Sequence, residues 1–212
     1  MIVRVLLLVA VALVCATATL CAQLPEIIIR ADVGVSVNHS QPDAKRVGPS
    51  FDVGAGIGIG PLAVLASVGF DQYLADEEVL ASGNPDVWDG ASTDVYSIAN
   101  YPMSVITVAG DLRYRFGDAD AGSSFYLTGG PAFFRVSRDD IRITSEKGTR
   151  VIPGTWGNAY GFVAGAGFDL AVFQRMIWIY GESKFAAGLA GSTSGFDPLY
   201  TNVRVGAEIR LL

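Results

Sequence analysis

Apolar residues recur at every second position through most of the chain. In Glu26–Asn38, Ile27, Ile29, Ala31, Val33, Val35 and Val37 share one parity, and Arg30, Asp32, Gly34, Ser36 and Asn38 the other. Seven further segments repeat the pattern: Phe51–Ile59, Leu62–Tyr73, Met103–Phe116, Ser124–Ser137, Asn158–Leu170, Ile177–Gly188 and Tyr200–Leu211. A period of two is a strand period. The chain therefore predicts about eight strands, most of them near the roughly 9–11 residues that cross a bilayer at a tilt. In Ser124–Ser137 the alternation blurs after Phe133, which predicts a bulge near Pro131.

The connections alternate long and short in order. This is the habit of outer-membrane barrels, with long outer loops and short periplasmic turns. It predicts periplasmic termini and odd-numbered strands running outward. The architecture expected is all-β, an eight-stranded antiparallel up-and-down transmembrane β-barrel.

The stretch FDVGAGIGIG, Phe51–Gly60, has the look of a phosphate-binding loop. Its glycines fall at 54, 56, 58 and 60, always two apart, so no G-x-G-x-x-G or G-K-[ST] pattern forms. In a barrel the apolar parity faces lipid. The other parity must fill a narrow interior. Gly54, Gly56, Gly58, Gly165 and Gly167 then make room for long side chains opposite. The charges expected inside are Arg30, Asp32, Asp52, Asp71, Asp111, Arg113, Arg115, Asp169, Glu182, Lys184, Arg204, Glu208 and Arg210. Their signs nearly balance, as a dry interior requires. Such a filled interior should not pass metabolites. Two aromatic girdles are expected. Tyr114, Phe116, Phe125, Phe168 and Trp178 would form the periplasmic one, and Phe51, Phe70, Tyr73, Tyr160, Phe185 and Tyr200 the outer one.

The first residues read MIVRVLLLVAVALVCATATLCAQ: one basic residue, a short apolar run, then small residues. This predicts a secretory signal peptide over 1–22 and a barrel domain over 23–212. Both cysteines, Cys15 and Cys21, fall inside the signal, so the mature chain must hold together without a disulfide. Losing Arg4 shifts the formal charge from −6 to −7. A mildly acidic chain with no basic patch is a poor nucleic-acid binder.

The last strand reads VRVGAEIRLL. It resembles the C-terminal assembly signal of outer-membrane barrels, with Arg204, Gly206, Ile209 and Leu211 at the signal's positions. The family usually ends on an aromatic residue, where this chain has Leu211 and Leu212. Taken whole, the sequence resembles the outer-membrane-protein β-barrel domain family, the OmpA-like and OmpX-like small barrels. The resemblance implies insertion into a bacterial outer membrane by the barrel assembly machinery. The partners expected are outer-membrane lipids and lipopolysaccharide, with a monomer and no cofactor. The resemblance names no task, since one fold hosts many.

Some barrels of this kind are lipid-modifying enzymes with a rim histidine. The one histidine here, His39, stands beside Ser40 and near Asp43. The reading preferred is a non-enzymatic scaffold with outer loops for surface interaction. The alternatives are a rim hydrolase or acyltransferase using His39, and a soluble exported ligand-binding barrel. With one His and no mature Cys, a His/Cys metal site is not expected. The second outer loop, about Leu74–Asn100, carries Asp76, Glu77, Glu78, Asp86, Asp89 and Asp94 and no Lys or Arg. It would suit divalent cations or a basic partner. In the third loop, Ile141 and Ile143 alternate with Asp140 and Arg142, which predicts that the fifth and sixth strands extend beyond the membrane as a hairpin.

Overall fold

The computed structural model describes residues 24–39, 46–74, 97–98, 102–117, 122–145, 148–173, 176–192 and 198–211. Eight long strands form one closed barrel: β1 (Glu26–Asn38), β2 (Arg46–Ile59), β3 (Leu62–Leu74), β5 (Pro102–Phe116), β6 (Ser123–Arg138), β9 (Thr155–Phe173), β10 (Ile177–Ser192) and β11 (Leu199–Leu211). Each pairs antiparallel with its neighbours along the chain, and β1 closes on β11. The remaining strands, β4 (Ser97–Ile98), β7 (Ile141–Ser145) and β8 (Gly148–Ile152), form a separate three-stranded sheet. The third loop does hold a hairpin, β7–β8, but the barrel strands β6 and β9 do not extend into it. It is a distinct sheet that also recruits β4 from the second loop, not a continuation of the barrel strands.

Closure removes every edge, so the backbone groups of the wall pair within it. The shortest barrel strands have 13 residues and β9 has 19. That exceeds the roughly 9–11 a tilted strand needs to cross hydrocarbon. One end of the barrel carries the connections β2–β3, β5–β6 and β9–β10, of 2, 6 and 3 residues; the other carries β1–β2, β3–β5, β6–β9 and β10–β11, of 7, 27, 16 and 6, so the expected alternation of long and short fails at the last connection, which is no longer than β5–β6. At the tightest turn Ile59 pairs with Leu62, leaving Gly60 and Pro61 between. Gly60 has φ 60°, the positive value that the first position of a two-residue hairpin loop favours.

Side chains alternate between an exposed outer wall and a buried interior along every barrel strand, as in the pattern ieBeBeBeieBiB of β1. The outer wall is apolar: Ile27, Val53, Val64, Val108, Leu127 and Val205 are all exposed. The apolar parity read from the sequence is therefore the outer one.

Two expectations need correction. No register shift occurs in β6: its pairing with β9 runs unbroken from Ser123 to Arg138. On the β5 side the ladder skips Gly130 and Pro131 and resumes in the same register. Pro131 costs a ladder bond, since it has no N–H, but adds no residue to the strand. The irregularities lie instead between β9 and β10, at Ile177/Trp178 and Gly188/Ala190. Secondly, Tyr73, Tyr200 and Trp178 are not in the girdles. Each is buried inside the barrel. Tyr73 shares the parity of Asp71, Tyr200 that of Asn202, and Trp178 that of Glu182. Position within the strand decides membership of a girdle only after the face has been fixed. Phe51, Tyr160 and Phe185 at the loop end, and Tyr114, Phe116, Phe125 and Phe168 at the turn end, do face outward.

Candidate functional site: a charged barrel interior under an apolar wall

Alternation sends the polar parity of all eight strands into one narrow space. Arg30, Asp32, Asp52, Asp111, Arg113, Asp169, Glu182, Lys184, Arg204, Glu208 and Arg210 are all buried there, and Arg115 is half-buried near the turn end. Asp71 is fully buried in the same space.

The network is built in three tiers. Near the turns, Arg113 donates to Glu208 at 2.6 Å, and Arg210 donates to Glu208 at 2.6 Å and to Asp169. Ser124 donates to the same Asp169 at 2.5 Å. Arg115 reaches Glu26 at 3.3 Å. In the middle, Arg30 donates to Asp32 at 2.8 Å and to Glu182 at 3.0 Å. Tyr180 adds a bond to Asp32 at 2.5 Å, Tyr126 one to Glu182 at 3.2 Å, and Lys184 one to Asp111 at 2.7 Å. Nearer the loops, Arg204 donates to Ser50 at 2.8 Å and lies 3.5 Å from both Asp52 and Asp71.

Aromatic rings cover the cations. Arg30 lies 4.6 Å from the Tyr180 ring, Arg113 4.3 Å from Tyr126, and Arg210 3.8 Å from Trp178. The quadrupole of a ring face attracts a cation, more so where water is excluded. Glycines opposite make this possible. A Cβ on Gly167 would overlap the Tyr126 ring, and one on Gly206 would sit 2.7 Å from the Tyr180 ring. Both are the direct cross-strand partners of those tyrosines. At Gly54 a Cβ would approach the Arg30 stem to 3.2 Å. The ring-covering role of Tyr126, Tyr180 and Trp178 is not written in any local motif. For the two tyrosines it follows from pairing each large inward residue with the glycine across the ladder.

Apolar clusters complete the filling. Tyr73, Met103, Val105, Phe134, Val136 and Tyr200 pack together towards the loop end, and Ile28, Ala63 and Leu65 at the turn end. A cavity of about 10 Å³ beside Asp52, Lys184 and Arg204 has room for roughly one water. The interior is a packed ionic core, filled by these charged, aromatic and apolar side chains.

The His39 ring bonds Thr201 Oγ1 at 2.9 Å, and its backbone N–H donates to the Leu199 carbonyl at 2.7 Å. These contacts tie the end of β1 to β11. Ser40 and Asp43 lie outside the described residues, as do the acidic residues of the second loop and the segment 1–23. Of the C-terminal signal residues, Arg204 and Gly206 face inward, and Ile209 and Leu211 face outward.

No protein-family model and no curated protein matches the sequence. Solved structures do match. Ail, the attachment invasion locus protein of Yersinia pestis, solved with the heparin analogue sucrose octasulfate, aligns over 88% of this chain and 98% of its own. Its TM-score is 0.50 at 11% identity. A major outer membrane protein from Thermus thermophilus aligns over 89% of this chain and 100% of its own, with TM-score 0.48 and 15% identity. The N-terminal β-barrel domain of Pseudomonas aeruginosa OprF covers 88% and 97%, with TM-score 0.42 and 12% identity. At such identities the likeness speaks for the fold alone. An eight-stranded closed meander with an apolar outer wall and a charged filled interior is the fold of a small outer-membrane β-barrel, and this chain has it.

Proposed function

We propose that the protein is a non-enzymatic, integral barrel of a bacterial outer membrane. It acts as a membrane-anchored scaffold whose loop end faces outward and meets surface partners. One observation carries this reading: the two faces of every strand are inverted relative to a water-soluble barrel. Exposed Val, Ile, Leu and Phe cover the outer wall, while Arg, Lys, Asp and Glu are buried inside. In water such a wall would be an aggregation surface far larger than the few hundred Å² usual for a monomer. In lipid it is the required surface.

The filled interior supports a scaffold over a pore. The second loop, with six acids and no Lys or Arg, suits a cationic partner or divalent cations. The sulfated sugar analogue in the Ail structure therefore gives no guide to that loop.

The test is electrophoretic mobility with and without boiling, on protein from isolated outer membranes. A mobility shift confined to the membrane fraction is expected of a closed barrel. A protein in the soluble periplasmic fraction that shows no shift would overturn the reading.

A further inference from the structure

The outer wall of the eight barrel strands carries one charged side chain among the described residues, Arg135. The unbroken register of β6 puts it outside, in the same parity as Phe125, Leu127 and Phe133. Its place in the wall is read from the ladders. The row below holds Val68, Val108, Phe133 and Tyr160, all apolar or aromatic. Its own row runs Phe70, Ile106, Arg135, Asn158. The row above holds Gln72, Ser104, Ser137 and Trp156, where Ser104 and Ser137 share a hydrogen bond of 2.9 Å. Arg135 thus marks the step at which the wall changes from apolar to polar. A lipid-facing cation is costly at the bilayer midplane and nearly neutral at the interface. This row is therefore the boundary between hydrocarbon and headgroups.

The guanidinium is held against a ring. It lies 4.9 Å from the ring of Trp156, a residue that is 63% exposed. No carboxylate pairs with Arg135 among the described residues, and the side chain is exposed. A guanidinium stacked on indole keeps its in-plane N–H donors for a planar or tetrahedral oxyanion, and phosphate fits that fork with two bonds. Below it, Phe133 and Tyr160 pack at 5.3 Å and offer an apolar track for acyl chains.

We infer that Arg135 and Trp156, above Phe133 and Tyr160, form an external binding site for the phosphorylated sugar headgroup of an outer-leaflet glycolipid. The inference rests on the membrane reading above. The phosphate meets Arg135, the sugar meets the exposed indole, and the acyl chains run down the wall. The headgroup is the source of the phosphate, because only a lipid also occupies the apolar track.

The experiment is native mass spectrometry of the full mature chain, purified from membranes into detergent. Bisphosphorylated lipid A and its dephosphorylated form serve as probes. Wild type is expected to retain the phosphorylated lipid. Arg135→Gln should lower the bound fraction roughly tenfold, the scale of one charge-assisted contact. Wild type should hold the dephosphorylated lipid as weakly as Arg135→Gln holds the phosphorylated one. Trp156→Leu, which keeps the charge and removes the platform, should lose about threefold. Equal retention by wild type and Arg135→Gln, or no preference for the phosphorylated lipid, would overturn the site. Should Arg135→Gln fail to fold, the lipid preference of wild type and the Trp156→Leu loss decide the matter. A wild type that shows no heat-dependent mobility shift would instead sink the membrane reading itself.

Discussion

The two walls of this barrel are made from the same strands and differ in almost every physical respect. The outer wall is predominantly apolar, rich in Val, Ile, Leu and Phe, with one cation among the described residues, Arg135, at its polar boundary. The inner wall concentrates ionisable groups and covers its cations with Tyr126, Tyr180 and Trp178. Away from Arg135 and Trp156 the outer wall needs no particular partner, because lipid adapts to an apolar surface. The inner wall is specific: Asp32, Glu182, Asp111, Asp169 and Glu208 each face a particular cation, and Tyr126 and Tyr180 each face a glycine across the ladder. Substitutions should therefore cost most inside where a pair is broken, and outside only where charge meets hydrocarbon.

Glu182→Leu should give the largest loss. It removes the acceptor of Arg30 and Tyr126 and leaves a buried guanidinium half-paired. Breaking a buried pair costs about 3–5 kcal/mol, readable as a lower urea midpoint for the barrel folded in vesicles. If Glu182→Leu unfolds like wild type, the ionic core is not what holds the interior.

Charge on the outer wall comes next. Leu112 is exposed on β5, three rows below the row of Arg135 on the turn side. A lysine that deep in the wall, Leu112→Lys, costs about 2–4 kcal/mol. Ser137→Lys, one row above Arg135, should cost about 0–1 kcal/mol in the same assay. Equal effects at the two sites would erase the depth assigned to Arg135.

Gly167→Val tests the glycine–ring pairing. The new side chain overlaps the Tyr126 ring, and overpacking of this kind costs about 1–3 kcal/mol. Gly110→Ala is the control, since a Cβ there meets nothing within 4 Å. Refolding yields in lipid would separate the two.

His39→Ala should do the least. Its exposed bond to Thr201 at the strand end predicts a change within about 0.5 kcal/mol. No change in lipid composition of the host membrane should accompany it. Loss of a lipid modification in that variant would revive the rim-enzyme reading.

Much of this fold was legible in the sequence, because lipid enforces a period of two. Ile27 to Val37 and Val203 to Leu211 declare their faces without help. The interior charges were legible for the same reason, being the other parity. Their pairing was not, since Arg30 meets Glu182 across 152 residues and only barrel closure brings them together. Tyr73, Tyr200 and Trp178 were misplaced because aromatic residues near strand ends suit either face, and parity had to outrank composition. The apolar inner residues Ile28, Leu65 and Phe134 were hidden by the same bias, since an apolar residue on the polar parity is read as noise. Arg135 depended on Pro131: a bulge there would have turned the following residues over, and the intact register is what puts the cation outside.

The central claim is that the apolar parity faces lipid. Single spin labels at Val68 and Val205 in the protein reconstituted into vesicles test it directly, by collision with oxygen, which partitions into lipid, and with a water-soluble nickel chelate. Both residues are exposed on the outer wall. The account predicts oxygen-dominated relaxation at both positions. Nickel-dominated relaxation at both would mean that the wall meets water, and the membrane-spanning barrel would have to be abandoned.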